Sequence, residues 1–147
     1  MGTRIDPAKA APDAYKAMLA LENYVRHCGL EMRLFHLVKT RASQVNGCAF
    51  CIDMHTREAR AGGETEQRLY LLDAWRETDL YTPRERAALA WTEAITLIAE
   101  THAPDRDWDM VRNEFSDKEV ADLTLLIGVI NTWNRLSIGF RTMPGKV

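Results

Sequence analysis

Two cysteines and a histidine share one short stretch of this chain. The sequence NGCAFCIDMHTRE places Cys48 and Cys51 at CxxC spacing, with His55 four residues further on. On an α-helix each residue advances by about 100°, so these three side chains fall within an arc of roughly 60°. Cys48 should lie in the first turn, where free N–H groups and the helix dipole favour thiolate over thiol. The pattern is typical of a dithiol–disulfide couple assisted by a proton-transferring histidine.

A metal site and a plain core cluster are the alternatives for the same residues. CxxC is a common ligand spacing, and structural zinc takes four ligands. Cys48, Cys51 and His55 supply three, and His36 could supply the fourth if its helix folds back beside theirs. No second CxxC or paired-histidine motif accompanies them, and ligands on one helix face suit a tetrahedron poorly. Free cysteines are also among the most buried residues, so a core role stays open.

His36 lies in the apolar sequence LFHLV, ahead of the cysteines. With an unperturbed pKa of about 6.5, an imidazole can act as a general base near neutral pH. Its protonated form would lower the pKa of a nearby cysteine. The alternative is a hydrogen-bonded core histidine. Glu93 and Glu100 could also face the site, although no pattern places them there, and Cys28 at a helix end is interpreted as structural or exposed.

Residues typical of helix ends occur at several places along the chain. Thr82, Pro83 and Glu85 form the clearest helix start, and Ser116 with Glu119 forms a second capping box. No segment alternates with period two between hairpin turns, so strands are not expected. The sequence predicts an all-α bundle of about six to seven helices in a single domain over residues 1–147. The predicted helices run from Pro12 or Asp13 to Gly29, from about Glu31 to Val45, from about Cys48 to Gly62, from Glu66 to Arg76, from Pro83 to Pro104, from near Trp108 to Glu114, and from Ser116 to about Phe140.

The last helix is apolar on every side at LLIGVI, residues 125–130. Such a helix must be covered all round, and a neighbouring subunit is one source of that cover. We therefore expect self-association, the alternative being a central helix covered by its own chain.

The charge pattern excludes several classes of partner. Lys and Arg total 19 against 21 for Asp and Glu, and the two signs are interspersed. No basic face suited to phosphates is visible, so nucleic acid is not expected. The N-terminal sequence is too polar for a signal peptide, and the longest apolar run is too short to span a bilayer. We expect a soluble cytoplasmic protein without a membrane partner, in which three cysteines indicate catalysis or metal binding rather than structural disulfides.

The sequence RASQVNGCAFCIDMHTREAR is similar to the core motif of the alkylhydroperoxidase D-like proteins, within the carboxymuconolactone decarboxylase superfamily. The segments GETEQRLYLLDAWRET, TPRERAALAWTEAITLIAETH, FSDKEVADLTLLIGVINTWNRL and FRTMPG also resemble this family, so the similarity covers essentially the whole chain. The resemblance implies an all-helical fold and a homo-oligomer, often a trimer or hexamer.

The same resemblance implies roles for the site residues. Cys51 would attack the peroxide, Cys48 would resolve the product, and His55 would belong to the proton relay, although the helix dipole alone favours Cys48 as the attacker. Family members commonly carry glutamate at the position of His36, where it is thought to end the relay. His36 therefore replaces the relay base, marks altered chemistry, or completes a Cys2His2 metal site.

These observations together predict a thiol-dependent peroxidase or disulfide reductase that reduces hydroperoxides. Its catalytic residues would be Cys51, Cys48, His55 and His36. No haem, flavin or nicotinamide motif is present, so no cofactor is expected, and the reductant would be a dithiol, with a lipoyl-type adaptor protein implied by the resemblance alone. The alternatives are a carboxymuconolactone decarboxylase-type lyase, which does not require a CxxC pair, and a non-enzymatic metal-binding or redox-sensing oligomer.

Overall fold

The computed structural model describes residues 2–145, and every regular element within that range is helical. The predicted all-α fold is confirmed. The predicted domain also includes residues 1, 146 and 147, which lie outside the described range. The elements are α1 (Pro7–Ala10), α2 (Pro12–His27), α3 (Met32–Asn46), α4 (Ala49–Ala61), α5 (Glu66–Tyr70), a 3-10 helix (Leu72–Glu77), α6 (Pro83–Thr96), α7 (Ile98–Thr101), α8 (Asp105–Glu114) and α9 (Asp117–Phe140).

The capping signals locate the helix ends correctly. Thr82 Oγ1 accepts a hydrogen bond from the backbone N–H of Glu85, whose carboxylate accepts one from the Thr82 N–H, so α6 begins with the predicted capping box. Ser116 and Glu119 form the same arrangement at α9. Helix α3 ends at Gly47, whose φ of 70° is a left-handed conformation that glycine adopts without strain.

Two of the predicted helices are each divided in the structure, and the short helix α1 was not predicted. The segment predicted from Glu66 to Arg76 is α5 followed by the 3-10 helix, with a kink at Ala74. The segment predicted from Pro83 to Pro104 divides at Leu97 into α6 and α7. The Thr101 hydroxyl donates to the Ala94 carbonyl across this break at 2.6 Å. Side-chain hydrogen bonds of this kind leave no periodic signal in the sequence, which explains why the break was missed.

Helices α3 and α9 occupy the centre of the bundle. Helix α3 packs against α4, α6 and α9, and α9 packs against α2, α4, α6 and α8 as well. The main core contains Phe35 and Val38 from α3 together with Leu123, Leu126 and Ile127 from α9, all of them at most 1% exposed.

The apolar sequence of α9 is mainly covered by its own chain, which is the alternative to a subunit interface. Leu126, Ile127, Val129 and Ile130 are buried, whereas Leu125 is 37% exposed. Helix α9 therefore does not require a second subunit, and self-association stays a prediction. No helix among residues 2–145 combines the length and apolarity that crossing a membrane requires.

A buried amide network fastens α9 to the end of α3, directly before the cysteines. Asn134 is fully buried, and its Nδ2 donates to Ser43 Oγ at 3.0 Å. Its Oδ1 accepts from Asn46 Nδ2 at 2.8 Å. Asn46 also donates to Asn131 Oδ1 at 3.0 Å. These contacts fix the position of the α3–α4 turn.

We expect Asn134→Ala to lower the free energy of unfolding by about 2 kcal/mol, because it removes two buried hydrogen bonds, one with the Asn46 amide and one with the Ser43 hydroxyl, and leaves a cavity between the helices. Urea unfolding measures the loss. Thr132→Ala is the matched control on the exposed side of the same helix and should change stability by less than about 0.5 kcal/mol. Equal, small effects of both substitutions would show that the network does not fasten the two helices.

Candidate active site

The two cysteines lie at the N-terminus of α4 and are joined by a disulfide. Cys48 is the N-cap residue, and its Sγ accepts the backbone N–H of Cys51 at 3.4 Å. The Cα atoms are 5.4 Å apart, within the normal range for a disulfide. Both residues are 1% exposed and share a small core cluster with Ala42 and Ile130. The helix start thus positions both sulfur atoms, as the CxxC spacing predicted.

His55 lies one helical turn beyond Cys51, and it faces His36 and Glu58 rather than solvent. Its Nδ1 atom is 3.4 Å from Glu58 Oε2, and His36 Nδ1 is 3.7 Å from the same oxygen. One potential ligand atom from each of the three residues lies within 4.8 Å of the others. Helices α3 and α4 run side by side here, which brings His36 to the face of α4 that carries the cysteines and His55.

The three facing atoms of this cluster, His36 Nδ1, His55 Nδ1 and Glu58 Oε2, are buried and have no hydrogen-bond partner among residues 2–145. Burial is the main reason that the pKa of each imidazole lies below the usual value of 6.5, although Glu58 opposes that effect. The pKa of Glu58 is lowered to about 2, chiefly by the His55 imidazole beside it. Near neutral pH the cluster therefore holds two neutral imidazoles and one carboxylate. Such a cluster can accept one proton and share it among the three groups.

A second charged group borders the cluster on α2 and α3. Lys39 is 1% exposed, and its ammonium donates to Glu22 Oε1. Burial lowers the pKa of Lys39, whereas Glu22 raises it. The other oxygen of Glu22 accepts from Trp133 Nε1 at 3.0 Å, and Trp133 packs against the cysteine cluster. Arg26 approaches Glu58 Oε2 to 3.7 Å.

The structure brings His36 and His55 together, and it places both cysteines on the same helix face as His55, with Cys51 one turn away. Sequence reasoning missed Glu58, although its position three residues after His55 puts it on the same helix face. It also missed the pair of Lys39 and Glu22, whose separation of 17 residues gives no periodic signal.

The other residues considered in the sequence lie elsewhere. Glu93 accepts hydrogen bonds from Arg41, Trp75 and Arg76 and is therefore engaged away from the histidines. Glu100 is exposed on α7. Cys28, a free cysteine at the end of α2, donates its thiol to the Val25 carbonyl. In the disulfide form, Cys48 and Cys51 offer no thiolate to a metal, and the two histidines meet Glu58 instead.

We expect the protein to lose stability as the pH falls below about 6.5. Below that pH, His36 and His55 bind protons in the unfolded chain more readily than in the folded protein, because burial lowers their folded-state pKa values. Stability from this source is complete above pH 6.5 and is lost as the pH approaches the lower folded-state pKa values. Glu58 adds a further loss only below its ordinary pKa of 4.5, since its folded pKa is about 2. Urea unfolding at about pH 7.5 and 5.5 measures the effect.

The matched variants for this pH dependence are His36→Gln, which removes one buried imidazole, and His27→Gln, which removes a more exposed one on α2. The first should lose less stability than the wild type on acidification, and the second should behave like the wild type. An unchanged pH dependence in His36→Gln would show that burial of this imidazole does not govern acid stability.

The geometry defines a class of protein: an all-helical bundle with a CxxC disulfide at a helix start and a histidine one turn later. The family model of the carboxymuconolactone decarboxylase family matches residues 12–94. The chain belongs to this family, and it has the alkylhydroperoxidase D-like fold that the sequence resemblance implied.

Two close relatives cover almost the whole chain. YdfG of Bacillus subtilis (strain 168) is 46% identical over 138 residues, which are 94% of this chain and 94% of YdfG. The second relative is ATU0492 from Agrobacterium tumefaciens, whose crystal structure is known and whose sequence is 53% identical to this chain. It is described as a protein of unknown function and provisionally named an antioxidant defence protein AhpD. Its TM-score is 0.97, with 99% of this chain and 100% of that chain covered.

A more distant structure shares the fold alone. The alkylhydroperoxidase AhpD core of an uncharacterized peroxidase-related protein from Ralstonia eutropha JMP134 is 18% identical, with a TM-score of 0.81 over 95% of this chain and 74% of that chain. The family membership and the CxxC pair fit a peroxidase-like role.

Proposed function

We propose that this protein is a thiol-dependent peroxidase that reduces organic hydroperoxides with Cys48 and Cys51. The observation that carries the proposal is the Cys48–Cys51 disulfide at the start of α4, one turn before a buried histidine that faces a carboxylate. A redox dithiol needs two sulfurs that can bond, a site that favours thiolate, and a group that moves protons. All three requirements have a candidate in these residues.

In the first step the Cys51 thiolate attacks the terminal oxygen of the hydroperoxide. An S–O bond forms and the O–O bond breaks, which leaves Cys51 as a sulfenic acid and releases an alkoxide. His55 first accepts the thiol proton and then returns a proton to the alkoxide, which leaves as an alcohol. Lys39 places a positive charge near His55 and lowers its pKa, which favours return of the proton from His55 to the alkoxide.

In the second step the Cys48 thiol condenses with the sulfenic acid. Water leaves and the disulfide forms, so the peroxide has been reduced by two electrons and the cysteine pair oxidised by two. An external dithiol then reduces this disulfide through a mixed disulfide. A lipoyl-type group is the dithiol that we propose, because its two sulfurs allow the exchange to finish within one molecule.

Glu58 and His36 extend the proton path from His55 towards the surface. Glu58 Oε2 lies between the two imidazoles, and His36 is 8% exposed. His36 acts as the relay base and receives the proton of His55 through Glu58. Cys51, Cys48 and His55 are the catalytic residues, whereas His36 and Glu58 act through His55.

The substrate reaches the buried cysteines past Phe50 and Trp133. Both side chains pack against the cysteine cluster, and both line a cavity of about 280 Å³ that the N-terminal residues and α9 enclose. Tyr15, Ile5 and Leu136 add further apolar surface to this cavity. An apolar lining of this kind favours an organic hydroperoxide over hydrogen peroxide.

The experiment that tests the function is steady-state consumption of cumene hydroperoxide with dihydrolipoamide as the reductant. We expect multiple turnovers with this dithiol and at least tenfold slower turnover with an equal thiol concentration of a monothiol. A Cys48→Ser and Cys51→Ser double variant is the blank. If hydroperoxide is consumed no faster than in this blank with either reductant, the peroxidase proposal is refuted and the lyase alternative is favoured.

A further inference from the structure

We propose that His36, His55 and Glu58 bind a divalent transition-metal ion, of which Zn²⁺ is the natural probe, while Cys48 and Cys51 are joined in the disulfide. The ligand set is two imidazole nitrogens and one carboxylate oxygen. It is independent of the cysteine sulfurs, and it differs from the Cys2His2 set that the sequence left open.

The spacing of the three atoms suits a small tetrahedral ion. Zinc binds nitrogen and oxygen ligands at about 2.0–2.1 Å, so two ligands of one tetrahedron are about 3.4 Å apart. The separations from Glu58 Oε2 to His55 Nδ1 and His36 Nδ1 are 3.4 and 3.7 Å. One ligand atom from each of the three residues lies within 4.8 Å of the others, so the most widely separated pair would have to approach by at most about 1.4 Å to complete the geometry.

The ligand atoms are buried and lack partners, which distinguishes this cluster from an ordinary surface group of charges. Within the described part of the chain, Nδ1 of His36, Nδ1 of His55 and Oε2 of Glu58 accept or donate no hydrogen bond. The side chains of His36 and His55 are 10% and 2% exposed. Buried polar atoms normally have partners, and each one without a partner calls for an explanation such as an ion.

Two positively charged side chains near the cluster weaken the binding of a cation. Arg26 lies 3.7 Å from Glu58 Oε2, and Lys39 lies on the same side of α3. Glu22 accepts from Lys39 and is 3.9 Å from Arg26, so it offsets both cations. Because Arg26 is partly exposed, it can turn towards water when an ion takes its place beside Glu58. We therefore expect moderate rather than very tight affinity.

A small cavity lies beside one edge of the cluster, at His36. A cavity of about 50 Å³ lies beside His36 and is lined by Met32, Arg33, Ala59 and Glu64 as well. An ion that has lost most of its hydration shell can approach His36 from this side, and one water would occupy the fourth position, as in zinc sites with three protein ligands.

The consequence for activity depends on the proposed peroxidase function. An ion held by His55 Nδ1 prevents that ring from relaying protons through Glu58. An ion that stays on these three residues after the disulfide is reduced would therefore inhibit the reaction with hydroperoxide. The metal site itself does not depend on that function, because binding is measured without any turnover.

Isothermal titration with Zn²⁺ near neutral pH tests the site, using the disulfide form of a Cys28→Ser variant. This background contains no free thiol, since the chain has three cysteines and two are in the disulfide. We expect one Zn²⁺ per chain, and at least tenfold weaker binding after His36→Ala, His55→Ala or Glu58→Gln. His27→Ala is the matched control and should leave the affinity unchanged. Circular dichroism before titration confirms that each variant is folded.

Absence of binding in the folded Cys28→Ser disulfide form would overturn the proposal, and so would binding that the three ligand variants leave unchanged. Binding that appears only after reduction would assign the metal to the cysteines instead. Zinc binding in a protein that consumes no hydroperoxide would leave the metal site standing and refute only the proposed function, so the two failures are distinguishable.

Discussion

Cys51→Ser is expected to abolish hydroperoxide reduction, whereas Cys48→Ser still permits one oxidation per chain and then stops. Without the Cys51 sulfur no thiolate lies one turn from His55, so no sulfenic acid forms there. Without Cys48 the sulfenic acid forms but has no neighbouring thiol with which to condense. Mass spectrometry with dimedone trapping after one equivalent of cumene hydroperoxide measures the sulfenic acid, and a coupled assay measures turnover.

Cys28→Ser is the control for this pair of variants, because Cys28 lies at the end of α2 and bonds to the Val25 carbonyl. It should turn over like the wild type. The helix start raises a specific competing outcome: Cys48 is the N-cap residue and its sulfur receives the Cys51 N–H, an arrangement that stabilises negative charge on Cys48. A trapped sulfenic acid on Cys48 in Cys51→Ser would therefore reverse the assigned roles.

The second large effect is expected at His55 and Glu58. His55→Ala should lower the second-order rate constant for hydroperoxide by about 100-fold, the usual lower range for loss of a general acid–base group. Glu58→Gln should lower it by about tenfold and also change the pH profile. Glu58 raises the pKa of His55 against the effect of burial, so its removal should move the acidic limb of the profile to lower pH. Stopped-flow measurements between about pH 5 and 9 record both effects.

His27→Ala is the matched control for these two variants, because His27 lies on α2 and bonds to the Asn23 carbonyl instead of Glu58. Its rate constant and pH profile should equal those of the wild type. A Glu58→Gln protein with a lower rate but an unshifted profile would indicate a structural role for this carboxylate rather than an electrostatic effect on His55.

The main helices could be predicted because their ends carry local chemical signals. Thr82 and Glu85, Ser116 and Glu119, and Gly47 act on backbone groups within a few residues, so the sequence alone reveals them. The break at Leu97 could not be predicted in this way. It is stabilised by a hydrogen bond from Thr101 to Ala94, which matters only when the chain already turns there.

The site was predictable to the extent that it lies on one helix. The face of α4 follows from helical geometry, which relates Cys48, Cys51 and His55 and also Glu58. The contact of α4 with His36 depends on how α3 folds back, and the charges of Lys39 and Glu22 depend on the packing of α2 against α3. Periodicity carries no information about such contacts between helices. For the same reason the apolar sequence of α9 could not distinguish a subunit interface from a central position.

The most direct test of the central claim is the intact mass of fully reduced, metal-free protein after one equivalent of an organic hydroperoxide, followed by thiol alkylation. We predict a loss of two alkylatable thiols and of two mass units, with peptide mapping that assigns the new bond to Cys48 and Cys51. Three alkylated thiols in every chain after exposure, equal to the number of cysteines in the sequence, would contradict the peroxidase account.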